Sequence, residues 1–170
     1  SRRLRLPLRP RLAAPRDAVF AAVPLVTGVV ALALALVLAA VALLHAYWGL
    51  GGLWPASGEQ ELVRRVVGDP RLKRMPPPAI CLLVAAMIAV TALWPLLLAG
   101  WFGAVAAGSF ARGVGTAIMA VFLLRGIAGF LPAWRRKHPV EPFATLDGRM
   151  YSPLCLAVAA GYAVLLLQGV

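Results

Sequence analysis

The chain has 170 residues, of which 62% are hydrophobic and 14% charged, with a mean hydropathy of +0.86. Soluble domains carry about 25% charged residues, so a water-soluble globule is excluded. The net charge of +11 would point to nucleic acid in a soluble domain, but the basic residues cluster between apolar runs and no finger, ribonucleoprotein or basic-helix motif accompanies them. No nucleic-acid partner is expected. Two cysteines exclude a disulfide framework. Two histidines and six acids, nearly all outside the apolar runs, leave little material for a buried metal cluster or proton relay, so neither metal nor cofactor is expected.

Residues 18–58, 75–111 and 150–170 contain no Asp, Glu, Lys or Arg. A helix needs about 20 apolar residues to cross about 30 Å of hydrocarbon. These runs and the stretch around Arg125 therefore predict an all-α integral membrane four-helix bundle, a single domain over residues 18–170. Residues 1–17, with six arginines and three prolines, cannot build a core and read as a basic arm lying on anionic lipid headgroups. The opening Ser1-Arg2-Arg3 looks superficially like a twin-arginine export signal. Arg5 stands where such a signal wants a large apolar residue, however, and the apolar run that follows is too long, so the first span is expected to stay in the protein.

In chain order, the first span is predicted from about Pro24, a good first-turn residue, to about Trp48. Ser57-Gly58-Glu59-Gln60 fits a capping box, and Leu62, Val63, Val66 and Val67 recur at helical spacing until Gly68 and Asp69-Pro70. A short amphipathic helix is expected there, between the first two spans. Pro76-Pro77-Pro78 leads into a second span over 78–98, a third covers 114–131 and stops at Pro132, and a fourth covers 153–170, with Ser152 as N-cap and Pro153 at its first position. The tryptophans at 48, 54, 94, 101 and 134 fall near predicted span ends, as an aromatic belt requires. The positive-inside count conflicts: the arm with Arg112 carries seven basic residues, the 51–77 and 132–149 loops nine. Because the first helix usually dominates, the N-terminus is expected in the cytoplasm.

Three clusters carry polar chemistry. His45, Tyr47 and Trp48 close the first span, with His45 and Trp48 on one helical face. The imidazole is either a ligand or proton contact or an interfacial histidine bonded to a neighbouring helix. Arg125 lies about 10 Å below the end of the third span at 1.5 Å per residue. It either snorkels along its own stem or pairs inside the bundle, and Asp147 is its natural partner unless Asp147-Gly148 simply makes a turn. Tyr151 is either a belt residue or a hydroxyl aimed at the same pocket. Cys81 and Cys155 lie at similar depth on one side, so a disulfide is conceivable, and two small buried hydrophobes are the alternative. Gly126, Gly129, Ala157 and Gly161 are spaced for close helix approach, which is weak evidence in a chain this rich in Ala and Gly. With an even number of spans, the end of the first, the end of the third and the start of the fourth lie at one membrane face. His45, Tyr47, Trp48, Arg125, Asp147 and Tyr151 are thus one candidate site for a ligand or partner.

These motifs, His45-x-Tyr47-Trp48-x-x-Gly51-Gly52, Phe122-x-x-Arg125-x-Ile127 and Asp147-x-x-x-Tyr151-Ser152-Pro153-Leu154-Cys155, resemble those of a domain-of-unknown-function family of small four-helix bacterial membrane proteins, over about residues 25–170. The resemblance implies the four-helix architecture and a bacterial inner membrane, and no reaction. Ala128-Gly129 stands where an acidic residue often follows the Ile-Gly pair in that family, which bears on any ion pair inherited by Arg125. No phosphate loop, HExxH, GxSxG or CxxC occurs, and no catalytic residue is assigned. The expected function is a non-catalytic accessory or lipid-binding or small-amphiphile-binding bundle, part of a larger membrane complex or holding a lipid-like ligand. The alternative is a small membrane enzyme acting on a lipid or isoprenoid, with His45 or Tyr151 as acid or base and Arg125 as anion stabiliser. A transporter ranks third, since four spans without inverted repeats leave little room for alternating access.

Overall fold

Leu and Ala are strong helix formers, and in the block from Ala31 to Ala42 they run without a breaker. The structure, a computed structural model, describes residues 15–103 and 108–168, with side chains from Leu25 onward. It is all-helical there, with no strand among the described residues. Helix α1 spans Pro15–Gly49, α2 Glu59–Val66, α3 Pro78–Leu98, α4 Ser109–Ala128, α5 Pro132–Lys137 and α6 Phe143–Leu146; a π-helical turn, Asp147–Tyr151, then runs straight into α7, Ser152–Gln168.

Four segments are long and apolar enough to cross a membrane: Leu25–Gly49, Pro78–Leu98, Ser109–Ala128 and Phe143–Gln168. Only 17–28% of each is buried within the chain, so most of their apolar surface is left for lipid, and Leu25, Val29, Leu36 and Leu43 face outward along α1. The protein is a multi-pass membrane protein of four spans. Its interior is a narrow seam of Ala31, Leu34, Leu38, Ala92, Leu98, Ala111, Val158, Tyr162 and Leu165. α1 pairs with α3 and α4 with α7, and α1 touches α7 to join the two pairs. The Tyr162 hydroxyl, at the centre of the seam, donates to the Thr91 carbonyl at 2.7 Å, which relieves an otherwise orphaned polar group in hydrocarbon.

Several sequence expectations shift. The basic arm lies outside the described residues except for its last three, which already belong to α1. Pro24 is inside that helix rather than in its first turn, because the helix starts at Pro15, which takes the first-turn place itself. The third helix ends at Ala128, because the Phe130 and Leu131 N–H groups bond back to Ile127 and Ala128 in a tight turn that hands the chain to Pro132, the first residue of α5. Ser152 is no N-cap: the fourth span begins earlier, at Phe143, and its backbone passes through Ser152 without interruption. At α2 the N-cap is Gly58, without a side-chain cap bond. The bracket is made one position further on, with the Ser57 N–H and hydroxyl donating to Glu61 at 3.0 and 2.7 Å. Those bonds, the backbone one foremost, hold the exposed Glu61 carboxyl below its ordinary range.

The glycines let the paired helices approach. A Cβ on Gly126 would sit 2.7 Å from the Leu156 side chain and 3.1 Å from its backbone nitrogen. One on Gly28 would meet nothing within 4 Å. Gly126→Val is therefore expected to force α4 and α7 apart and cost about 1–3 kcal/mol, read as a lower unfolding temperature in detergent. Gly28→Ala should be neutral or stabilising in the same assay.

Candidate functional site

The end of α1 is shaped by its own stop signal. Gly51, at φ +91°, takes the left-handed conformation that closes a Schellman motif. Its N–H donates to the Trp48 carbonyl at 3.0 Å and the Gly52 N–H to the Tyr47 carbonyl at 2.9 Å. The Tyr47 ring folds over Gly52, where a Cβ would collide with it. The Trp48 indole N–H donates to the Trp54 carbonyl at 2.8 Å and ties the following loop to the helix. Tyr-Trp-x-x-Gly-Gly is thus a helix terminator, and it leaves His45 one turn below. That imidazole sits beside Trp48, ring centroids 5.2 Å apart, with Nδ1 donating to the Val41 carbonyl at 2.8 Å.

The second half of the site is a corner built by α4, α5, α6 and the π-helical turn. The extra residue of a π turn redirects a side chain that a regular helix would aim elsewhere, and such turns recur at functional sites. Here Asp147, 2% exposed, points back at α4. Arg125 Nη2 lies 2.6 Å from Asp147 Oδ1 in an ion pair. The Trp134 indole N–H donates to Oδ2 at 2.9 Å, and the Ser152 hydroxyl donates to Oδ1 at 3.2 Å while accepting from Arg125 Nη1 at 3.3 Å. The guanidinium carbon stands 4.8 Å from the centroid of the Trp134 ring, within cation–π range. A Cβ at Gly129 would collide with the Ser152 hydroxyl and lie 2.9 Å from Asp147 Oδ2, so the absence of a side chain at Gly129 makes room for the carboxylate supplied from α7's side.

From Trp134 the aromatic contacts continue outward. His138 stacks on Trp134 with centroids 4.1 Å apart, Phe143 lies 5.8 Å from His138, and Tyr151 lies 5.9 Å from Phe143. Tyr151 donates to the Arg65 carbonyl at 3.1 Å, and Arg64 donates to the Glu141 carbonyl at 3.2 Å. Both bonds fasten α2 over the corner.

Between α1, α3 and this corner lies a cavity of about 330 Å³, bordered by His45, Trp48, Cys81, Arg125, Trp134 and His138, with Val66, Val67, Ile80 and Val84 among its apolar lining. Of the six residues singled out in the sequence, His45, Trp48 and Arg125 border it. Asp147 is enclosed behind Arg125, Tyr151 serves the α2 contact, and Tyr47 caps its own helix, 45% exposed. Cys81 and Cys155 are free thiols. Sequence reasoning assigns Trp134 to the belt and gives His138 no role. The signal for His138 was its spacing of four from Trp134, which on any helical turn puts the two rings on one face.

A family model described as "Protein of unknown function (DUF3995)" matches residues 38–162, a stretch that holds every residue bordering the cavity. No curated protein matches the chain, and no solved structure does.

Removing one partner of a buried ion pair leaves the other charge uncompensated, at about 3–5 kcal/mol. Arg125→Met is expected to destabilise the protein by that order in a denaturant or thermal titration. Combining it with Asp147→Leu should recover more than half of the loss, because no buried charge then remains.

Proposed function

The chain belongs to this family of proteins of unknown function, and we propose that it is a non-catalytic multi-pass membrane protein whose corner cavity holds a lipid or another small amphiphile, alone or as an accessory subunit of a larger membrane complex. One observation carries the reading. His45, Arg125 and His138 share a cavity of about 330 Å³ with an apolar wall of Val66, Val67, Ile80 and Val84, a size and mixture typical of small-molecule sites. Less favourable to catalysis is the engagement of two of the groups that reading needs: the Tyr151 hydroxyl donates to the Arg65 carbonyl and Arg125 is paired with the enclosed Asp147. A small enzyme acting on a lipid or isoprenoid is the second reading, favoured by the two imidazoles on one cavity.

Native mass spectrometry of protein extracted with its surrounding lipid tests both. The wild type should retain a small molecule or a second polypeptide at fixed stoichiometry, and His45→Ala should lose the small molecule while unfolding at the temperature of ligand-stripped wild type. Wild type that carries nothing would sink the binding reading. Turnover by purified protein, abolished in folded His45→Ala, would install the enzyme instead.

We place the protein in a bacterial inner membrane, with the N-terminus in the cytoplasm and the basic arm on anionic headgroups. Cysteines introduced singly at Ser57 and Lys137 should then react with a membrane-impermeant reagent in intact cells. Protection of both would invert the topology.

A further inference from the structure

Both histidines of the chain border the same cavity, and both are held the same way. His45 Nδ1 lies 2.8 Å from the Val41 carbonyl, and His138 Nδ1 lies 3.2 Å from the Trp134 carbonyl. A carbonyl can only accept, and an imidazole in its uncharged form has a single N–H, so in that form the proton is on Nδ1 in each ring. Each Nε2 then presents a lone pair, and no protein donor among the described residues meets either one. Both rings stand at the border of the cavity, where their unmet Nε2 atoms are acceptors for a ligand that reaches them.

Three features narrow what would use them. Among the described residues no three His, Cys, Asp or Glu side chains converge to hold a metal ion, so the pair fits hydrogen-bond recognition of an organic group. Arg125 is already compensated by Asp147, so the cavity has no uncompensated positive charge to select a bare anion. Its border is aromatic on both sides, with Trp48 beside His45 and with Trp134 and Phe143 flanking His138, which favours a flat ring over a branched polyol. A cavity of about 150 Å³ holds benzene. One of about 330 Å³ therefore takes a single substituted ring and the first atoms of a chain. Ile80 borders the cavity and is 48% exposed on α3, which gives an apolar tail a path toward lipid.

Resting on the amphiphile-binding reading above, we infer that the cavity takes a hydroxylated aromatic ring with an apolar tail, the chemistry of a membrane hydroquinone, whose hydroxyls donate to Nε2 of His45 and of His138. The dimethyl ether keeps the ring and tail, carries a methyl group on each oxygen and has no donor, so it leaves both lone pairs unmet. Each lost or unmatched bond is worth roughly a threefold to tenfold change in affinity.

The experiment titrates the full-length protein in detergent with a decyl-substituted 1,4-hydroquinone, kept reduced under argon, and with its 1,4-dimethyl ether, following the saturable rise in unfolding temperature. The hydroquinone should bind at least about tenfold more tightly than the ether. His45→Ala and His138→Ala should each weaken the hydroquinone at least about threefold and leave the ether unchanged. Equal affinity for the two probes on the wild type overturns the inference without recourse to any variant. So does unchanged hydroquinone affinity in both folded variants. A retained phospholipid or polyol lipid, released by His45→Ala in native mass spectrometry, would overturn the hydroquinone while leaving the amphiphile-binding reading standing. A cavity that binds no amphiphile overturns both.

Discussion

The carboxylate of Asp147 governs the corner of this protein. An ionised group enclosed near the hydrocarbon is tolerated only when its charge is balanced and its lone pairs are met, and each partner comes from a different place in the chain. Arg125 comes from the end of α4, Trp134 from α5 and Ser152 from the start of α7. Those three bonds hold the end of α4, α5 and the π turn before α7 against one another. Without that turn, Asp147 and Ser152 would not both face Gly129, whose missing side chain is the space they occupy.

The opposite end of the bundle solves a similar problem by simpler means. Arg112 Nη2 donates to the Leu166 carbonyl at 2.8 Å, placing a cation on the last turn of α7, where the helix dipole is negative and carbonyls lack intrahelical partners. Trp94 donates to the Ala111 carbonyl at 2.9 Å near the end of α3, and a Schellman motif at Gly100, φ +78°, closes that helix. These contacts join helices through the backbone and enclose little. The corner joins them through side chains, and a cavity is left beside it.

What the sequence discloses divides along the same line. The four spans follow from hydrophobic length alone, and the second starts where Pro76-Pro77-Pro78, a local signal, puts it. The pairing of Arg125 with Asp147 could be anticipated because an arginine at that depth needs a partner and few acids are available. Tyr47 was read as chemistry when it is part of a helix stop, since Gly51-Gly52 was not read as the C-terminal half of a Schellman motif. The fourth span was started too late, because Ser152-Pro153 mimics a helix start. Nothing local in Asp147-Gly148-Arg149-Met150-Tyr151 announces a π turn; its cause is the non-local demand of Arg125 for that carboxylate. Trp134 and His138 stayed hidden for the same reason, since what gives them a role is a partner across the corner.

The charge balance at Asp147 also bears on what kind of recognition this face can support. A free arginine in a partly apolar cavity would dominate its electrostatics and attract almost any anion, because Coulomb interactions strengthen as the surroundings become less polar. With the guanidinium held at 2.6 Å by its own carboxylate and capped by an indole, that field is local and largely cancelled. Discrimination then falls to directional groups, the two imidazole edges set by backbone carbonyls, and to the shape of an aromatic border. Directional acceptors in an apolar setting are costly when unmet, so a ligand that meets them is favoured over one of equal size that cannot. The ion pair thereby does more than hold α4 to α7. In the binding reading proposed above, by removing net charge from the cavity it leaves weaker and more selective hydrogen bonds to discriminate between ligands.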